Sequence, residues 1–192
     1  MSTRRSPGLV RPVARLAAAA ALGYLARERL ADADRKAFSM VRARRSETLD
    51  RVLPIATDFG SVYAVAGVAT SLILLGRTRL AVRAAGAALT AWGIAQGAKT
   101  VFARPRPYHD GDVEVLVRRP AGLSYPSGHP AVAAALARVL APEAHRMIAP
   151  LIERLPSLVA ASRVYVGVHY PSDVIGGRLV GEASADVWRR VL

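Results

Sequence analysis

Three short polar clusters combine residue types that can bind a phosphate and attack it. Lys99-Thr-Val-Phe-Ala-Arg-Pro-Arg106-Pro107 closes a long apolar segment, and the seven-residue spacing would bring Lys99 and Arg106 to one face of a helix that persisted that far. Pro105 and Pro107 argue that the chain turns out of the helix first, so a positive helix end at a membrane surface is the competing reading. Pro126-Ser127-Gly128-His129 opens the next helical segment. Free backbone N–H groups, the positive end of the helix dipole and a glycine that allows close approach make an anion cradle with an acid beside it. A serine N-cap with an incidental histidine would look the same. In Ser162-Arg163-Val-Tyr-Val-Gly-Val-His169-Tyr-Pro-Ser-Asp173, a carboxylate four positions after the imidazole can accept from one ring nitrogen while the other faces substrate. Arg163 can bring a guanidinium fork to the same anion, and Pro171 suits the first turn of the last helix. A structural salt bridge from Asp173 to an arginine is the bland alternative.

Other chemistries find fewer residues. The chain has no cysteine, which removes disulfides, thiolate metal sites and a cysteine nucleophile together. Four histidines remain, without HExxH or a comparable zinc spacing, so neither a metal ion nor another cofactor is expected. His109 reads as a solvated loop residue and His145 as part of a connecting turn. Tyr108, Tyr125 and Tyr165 could flank a site, although packing explains them equally well. Asp58-Phe59-Gly60 spells a kinase tripeptide but lacks the glycine-rich and catalytic loops of a kinase.

These clusters sit in a chain of 192 residues, enough for one core and one site. A formal charge of +13 suits nucleic acid, anionic lipid or phosphate-bearing substrates. With 52% hydrophobic residues and a mean hydropathy of +0.23, the composition points to a membrane and away from nucleic acid. Residues 1–51 form a basic N-terminal segment, with an apolar stretch Val13 to Ala26 that is transmembrane or interfacial and a helix-compatible piece Asp34–Arg45. Residues 52–192 form the main bundle. Val52 to Leu75 and Leu80 to Phe102 each approach the roughly 20 residues that cross a bilayer. The stretch Ala103 to Ser127, rich in proline, reads as a loop outside the hydrocarbon. Helical segments follow at about His129–Leu140, Ala144–Val168 and Ser172–Val191. The expected fold is all-α, a membrane-embedded bundle of five or six helices. Arg138, Glu153, Arg154, Arg163 and Arg178 should then face the interior, a wet site or the interface. Gly93/Gly97 and Gly177/Gly181 are candidate close helix contacts, and Trp92 and Trp188 read as interfacial or packing residues.

Taken together, the three clusters resemble the signature of the type 2 phosphatidic acid phosphatase superfamily, K-x6-RP, PSGH and SR-x5-H-x3-D. Lys99, Arg106 and Pro107 fit the first motif, Pro126 to His129 the second, and Ser162, Arg163, His169 and Asp173 the third. The resemblance spans about residues 52 to 190 and implies a core like that of the PAP2 phosphatases and haloperoxidases. It implies that His169 attacks phosphorus with Asp173 orienting it, and that His129 protonates the leaving alkoxide and then activates water. Lys99, Arg106, Arg163, Ser127 and Gly128 would hold the phosphate oxygens, doing the work that Mg²⁺ does elsewhere.

The implied activity is metal-independent hydrolysis of a lipid phosphate or diphosphate through a phosphohistidine intermediate. Phosphatidic acid, phosphatidylglycerophosphate and polyprenyl phosphates are the candidate substrates, with membrane lipids as the surroundings and the oligomeric state open. Two rivals share the residues: a vanadate-dependent haloperoxidase-like enzyme, and a non-catalytic protein that binds anionic lipid. If Val13–Ala26 spans the membrane from a cytoplasmic N-terminus, six crossings put the site on the extracytoplasmic face; five crossings would put it inside. Residues 27–51 carry eight Lys/Arg against five Asp/Glu, which by the positive-inside rule favours a cytoplasmic place for that segment. The six-crossing arrangement is the working expectation.

Overall fold

The computed structural model describes residues 9–109 and 111–191, and among these the regular structure is entirely helical. There are eight α-helices: α1 (Val10–Glu28), α2 (Ala31–Arg42), α3 (Glu47–Thr57), α4 (Val62–Leu74), α5 (Thr78–Phe102), α6 (Gly128–Leu140), α7 (Ala149–Tyr165) and α8 (Pro171–Val191). The fold is all-α as the sequence implied, with more helices than the expected five or six for two local reasons. The basic stretch before residue 52 folds into α2 and the start of α3. The apolar run Val52 to Leu75 is broken by a 3₁₀ turn at Asp58–Gly60, where α3 and α4 meet at a bend of 62°. Ser61 restarts the helix, its backbone extended and its Oγ accepting from the Ala64 amide at 3.2 Å. No single helix among the described residues is both long and apolar enough to cross a bilayer, whereas the bent pair α3–α4 meets that length and composition together.

Alanine determines how closely the centre packs. Ala84, Ala87, Ala88, Ala91 and Ala95 recur at helical spacing along α5 and are fully buried, facing Ala131, Val132, Ala135, Leu136 and Val139 of α6. Ala costs no side-chain entropy in a helix and allows neighbouring axes to approach. α8 packs against α6, α5 and α1, which places it at the middle of the bundle. Its Gly177 and Gly181 lie against the backbone oxygens of Ser127 and Ala131, so this GxxxG is a true close contact. Gly93 and Gly97 have nothing within 4 Å of a notional Cβ and make no such contact. Trp188 packs over Gly86 and donates from Nε1 to Thr90 Oγ1 at 3.0 Å, a packing role as expected.

The bundle has two distinct ends. At one, Arg15 of α1 pairs with Glu182 (3.1 Å) and with Asp186 of α8, and Arg138 of α6 reaches Asp186 at 2.6 Å. Arg77 before α5 meets Glu143 after α6 at 3.1 Å on this side. The C-terminal ends of α5 and α7 and the N-terminal ends of α6 and α8 converge at the other. α1 runs from the first end to the second, where Tyr125 Oη donates to Ala19 O and Gly23 touches the rings of Tyr125 and Phe102. α2 and α3 lie at that second end: Arg42 donates to Tyr165 O at 2.8 Å, and Tyr165 Oη to Asp50 Oδ1 at 2.6 Å. Among the interrupting charges, Arg178 pairs with Glu182 at 2.9 Å, and Glu153 and Arg154 are exposed.

Candidate active site

α5 stops at Ala103, which takes a left-handed backbone (φ 46°) while its N–H still reaches Lys99 O at 2.9 Å. The Arg104-Pro105-Arg106-Pro107 that follows cannot continue the helical ladder. Lys99 therefore remains on the last turn of α5 while Arg106 swings inward, so the two cations reach the site from a helix end and a loop, not along one helical face. Arg106 is buried, its Nε donating to Gly122 O at 2.9 Å and its Nη1 to Val168 O at 3.0 Å. The same Nη1 lies 3.1 Å from Nε2 of His169.

His169 sits in the short connection between α7 and α8 and is 2% exposed. A guanidinium can only donate, so the Nε2 it faces carries the lone pair and the ring proton is on Nδ1. Nδ1 lies 3.2 Å from Ser124 Oγ and 3.5 Å from Asp173 Oδ2. Ser124 Oγ in turn donates to Asp173 Oδ2 at 2.5 Å, so its oxygen is free to accept from Nδ1–H. Asp173, in the first turn of α8, is wholly buried and also accepts from Tyr170 N at 2.7 Å and from Arg104 Nη1 at 2.8 Å. Burial, followed by the fields of Arg106, Arg163, Lys99 and His129, pushes the His169 pKa well below its ordinary 6.5. These effects favour the neutral imidazole, with the nitrogen that faces Arg106 unprotonated.

Near enough to act on this ring electrostatically is His129, on the first turn of α6, which begins at Gly128. Ser127 donates its amide to Asp173 O at 2.9 Å, which ties the PSGH loop to α8, while its buried Oγ has no hydrogen-bond partner among the described residues. Arg163, buried at the end of α7, gives Nη1 to Thr57 Oγ1 at 3.0 Å, and its Nε has no partner among the described residues. Neither Lys99 nor the His129 ring has a hydrogen bond or ion pair among the described residues. His129 and Arg163 line a cavity of about 750 Å³ whose other walls include Ile55, Asp58, Tyr63, Trp92 and Arg118. Trp92, expected at an interface or in packing, thus borders the cavity, 41% exposed. The Asp58–Gly60 turn closes one side, with Gly60 against the His129 backbone.

All eight residues singled out by spacing, Lys99, Arg106, Ser127, Gly128, His129, Arg163, His169 and Asp173, converge at this one end. His109 is exposed and its ring lies against Tyr108, and the ring of exposed His145 accepts from the Met147 amide at 3.4 Å. Tyr125 is buried against α1, and Tyr165 anchors α3. Four contributors escaped the sequence reading: Ser124, Arg104, Thr57 and Asp34. Arg104 was signalled only as the first half of a repeated Arg-Pro, and the others carried no local signal. Among the described residues no group of three or more His, Asp or Glu side chains is placed to hold a metal ion.

Sequence and fold are both similar to those of known proteins. A family model described as the PAP2 superfamily matches residues 55–192. The undecaprenyl-diphosphatase of Sulfolobus acidocaldarius is 31% identical over 148 residues, covering 75% of this chain and 71% of that protein. The decaprenylphosphoryl-5-phosphoribose phosphatase of Mycobacterium tuberculosis is 39% identical over 110 residues, 57% of this chain and 60% of its own length. Among solved structures, the first transmembrane PAP2-type phosphatidylglycerolphosphate phosphatase from Bacillus subtilis shares the fold with a TM-score of 0.81, at 22% identity and over 94% of this chain and 95% of that one. The matched region runs from α3 to the end of α8 and takes in all three polar clusters, and the chain belongs to the PAP2 superfamily.

Proposed function

We propose that this membrane protein is a lipid phosphate or diphosphate phosphatase working through a phosphohistidine on His169, without a metal ion. One observation carries the reading: Nε2 of His169 faces Arg106 Nη1 at 3.1 Å, with Arg163 and Lys99 near enough to act on the ring electrostatically, while Nδ1 faces Ser124 Oγ and Asp173 Oδ2. A phosphoryl group drawn into that cluster meets the nucleophile in line with its leaving oxygen. The cations and the first amides of α6 stabilise the charge spread over the equatorial oxygens. As Nε2 bonds to phosphorus the ring becomes cationic, and the Asp173 carboxylate balances it through Nδ1–H. His129, which lines the cavity, gives a proton to the departing alkoxide or phosphate and takes one from the water that cleaves the N–P bond.

For the substrate, a polyprenyl-linked phosphate or diphosphate is supported by the names of the two sequence relatives. The cavity also suits it, with Ile55, Tyr63 and Trp92 offering apolar wall beside the cationic end. A multi-pass arrangement with the site on the extracytoplasmic face is supported by the course of α1, which starts at the end away from the site and finishes beside it. With α1, α4, α5, α6, α7 and α8 alternating in direction, a cytoplasmic N-terminus puts the site outside. The basic residues of α2 and α3 at the site end pull the other way under the positive-inside rule.

The deciding experiment is phosphate release from a panel of lipid phosphates and diphosphates in detergent with EDTA, by wild type and by His169→Ala. Wild type should remain active under EDTA, and the variant should lose more than about a thousandfold in kcat. Abolition by EDTA, or an active variant, would overturn the mechanism.

A further inference from the structure

Asp34 on α2 is buried, at 6% exposure, and lies outside the region matched by the family. Its Oδ2 accepts from Arg104 Nη2 at 2.7 Å, and its Oδ1 accepts from the Ser172 amide at 3.0 Å. Ser172 Oγ donates to the same carboxylate and accepts from Arg104 Nη1 at 2.6 Å. Arg104 Nη1 also reaches Asp173 Oδ1 at 2.8 Å, and the guanidinium lies over the Tyr170 ring, 4.5 Å from its centroid. The result is a buried row of carboxylate, guanidinium and carboxylate, with the residue that orients His169 at one end and a helix from the N-terminal segment at the other.

A buried arginine facing a single carboxylate closes on it as a two-pronged fork, taking both oxygens. Here Asp34 turns Nη2 away from Asp173, and Nη1 is shared between Ser172 Oγ and Asp173, so Arg104 meets Asp173 through one nitrogen and one oxygen, Oδ1. Oδ2 is thereby left for Ser124 Oγ, the Tyr170 amide and the His169 side. The second carboxylate also offsets the guanidinium charge, which would otherwise draw electron density from Asp173 at the moment His169 becomes cationic. We infer that Asp34 is a positioning residue: by dividing Arg104 between two carboxylates it keeps one oxygen of Asp173 available to His169. This rests on the assignment of Asp173 as the partner of the nucleophile, and it makes α2 part of the catalytic apparatus.

The test compares wild type, Asp34→Asn, Asp34→Glu, Arg104→Gln and the Asp34→Asn/Arg104→Gln double variant. kcat is expressed per vanadate-binding site, so that misfolded protein does not count. Asp34→Asn keeps the shape and the acceptor for Ser172. It should lower kcat per site by about 10- to 100-fold with KM within about twofold, and Asp34→Glu should restore part of the loss. The double variant should be no worse than the poorer single one, because both act through the same contact on Asp173. In ¹⁵N-histidine-labelled protein, the Nδ1–H proton of His169 should move upfield in Asp34→Asn. An Asp34→Asn enzyme with kcat per site within twofold of wild type, an unmoved Nδ1–H resonance, or losses that multiply in the double variant would each overturn the inference. If those results came with an inactive His169→Ala, the inference alone would fail; an active His169→Ala would remove the phosphohistidine reading and this inference with it.

Discussion

In the proposed mechanism the attacking nitrogen of His169 stays unprotonated through burial and neighbouring cations, and this has a pH signature. A histidine whose pKa is depressed stays neutral until the pH falls well below 6.5, so kcat/KM, corrected for the ionisation of the substrate's own phosphate, should hold across the ordinary histidine range and fall only below it. Arg106→Gln removes one of the repelling charges. The acid limb should then move toward higher pH while the plateau drops by about a hundredfold, because a phosphate ligand is lost as well. A pH–rate profile of the two proteins checks both effects. At this scale the sequence was informative where spacing and residue type coincide, as in His169 with Asp173 or Ser127 with His129. It was silent on Ser124, an ordinary loop serine until the fold places it between Nδ1 and Asp173, and on Thr57 and Asp34, which reach the site from elements remote in the chain. Arg104 and Arg106 are separated only by a proline, and no sequence rule assigns one to Asp173 and the other to His169.

The helices set the geometry that those side chains need. α6 and α8 approach until Gly177 touches the Ser127 carbonyl, and the amide of the same Ser127 holds Asp173 O. Gly177→Ala should thus displace the phosphate cradle as well as strain the packing, costing about 1–3 kcal/mol and most of the activity. Gly97→Ala, on the open face of α5, should be neutral or stabilise the protein by up to about 1 kcal/mol. Thermal unfolding followed with activity separates the two. The two GxxxG pairs look alike in the sequence, and only the packing shows which is used. α5, α6 and α8 were legible from apolar length and proline boundaries. The α3–α4 bend was not, since the apolar run continues through Asp58-Phe59-Gly60 and the interruption depends on Ser61 capping a new helix.

For the whole molecule, the ion pairs of Arg15, Arg138, Glu182 and Asp186 hold one end of the bundle closed while the other gathers the residues proposed to bind phosphate. The absence of cysteine makes the orientation directly measurable. Gly111→Cys, in the exposed loop between α5 and α6, should react with a membrane-impermeant maleimide in intact cells. Arg79→Cys, at the opposite end, should react only after permeabilisation, and the reverse pattern would place the site in the cytoplasm. The unpartnered Ser127 Oγ and Arg163 Nε have a further meaning at this scale. Arg104, Arg106 and Arg163 are buried near Asp34, Asp58 and Asp173, with Lys99 adding a fourth cation, so an anion bound among them should stabilise the fold, which thermal unfolding with and without inorganic phosphate measures. On that reading phosphate would be a structural ion as well as a substrate, and the fold should be at its most robust with the site full and at its least stable just after release.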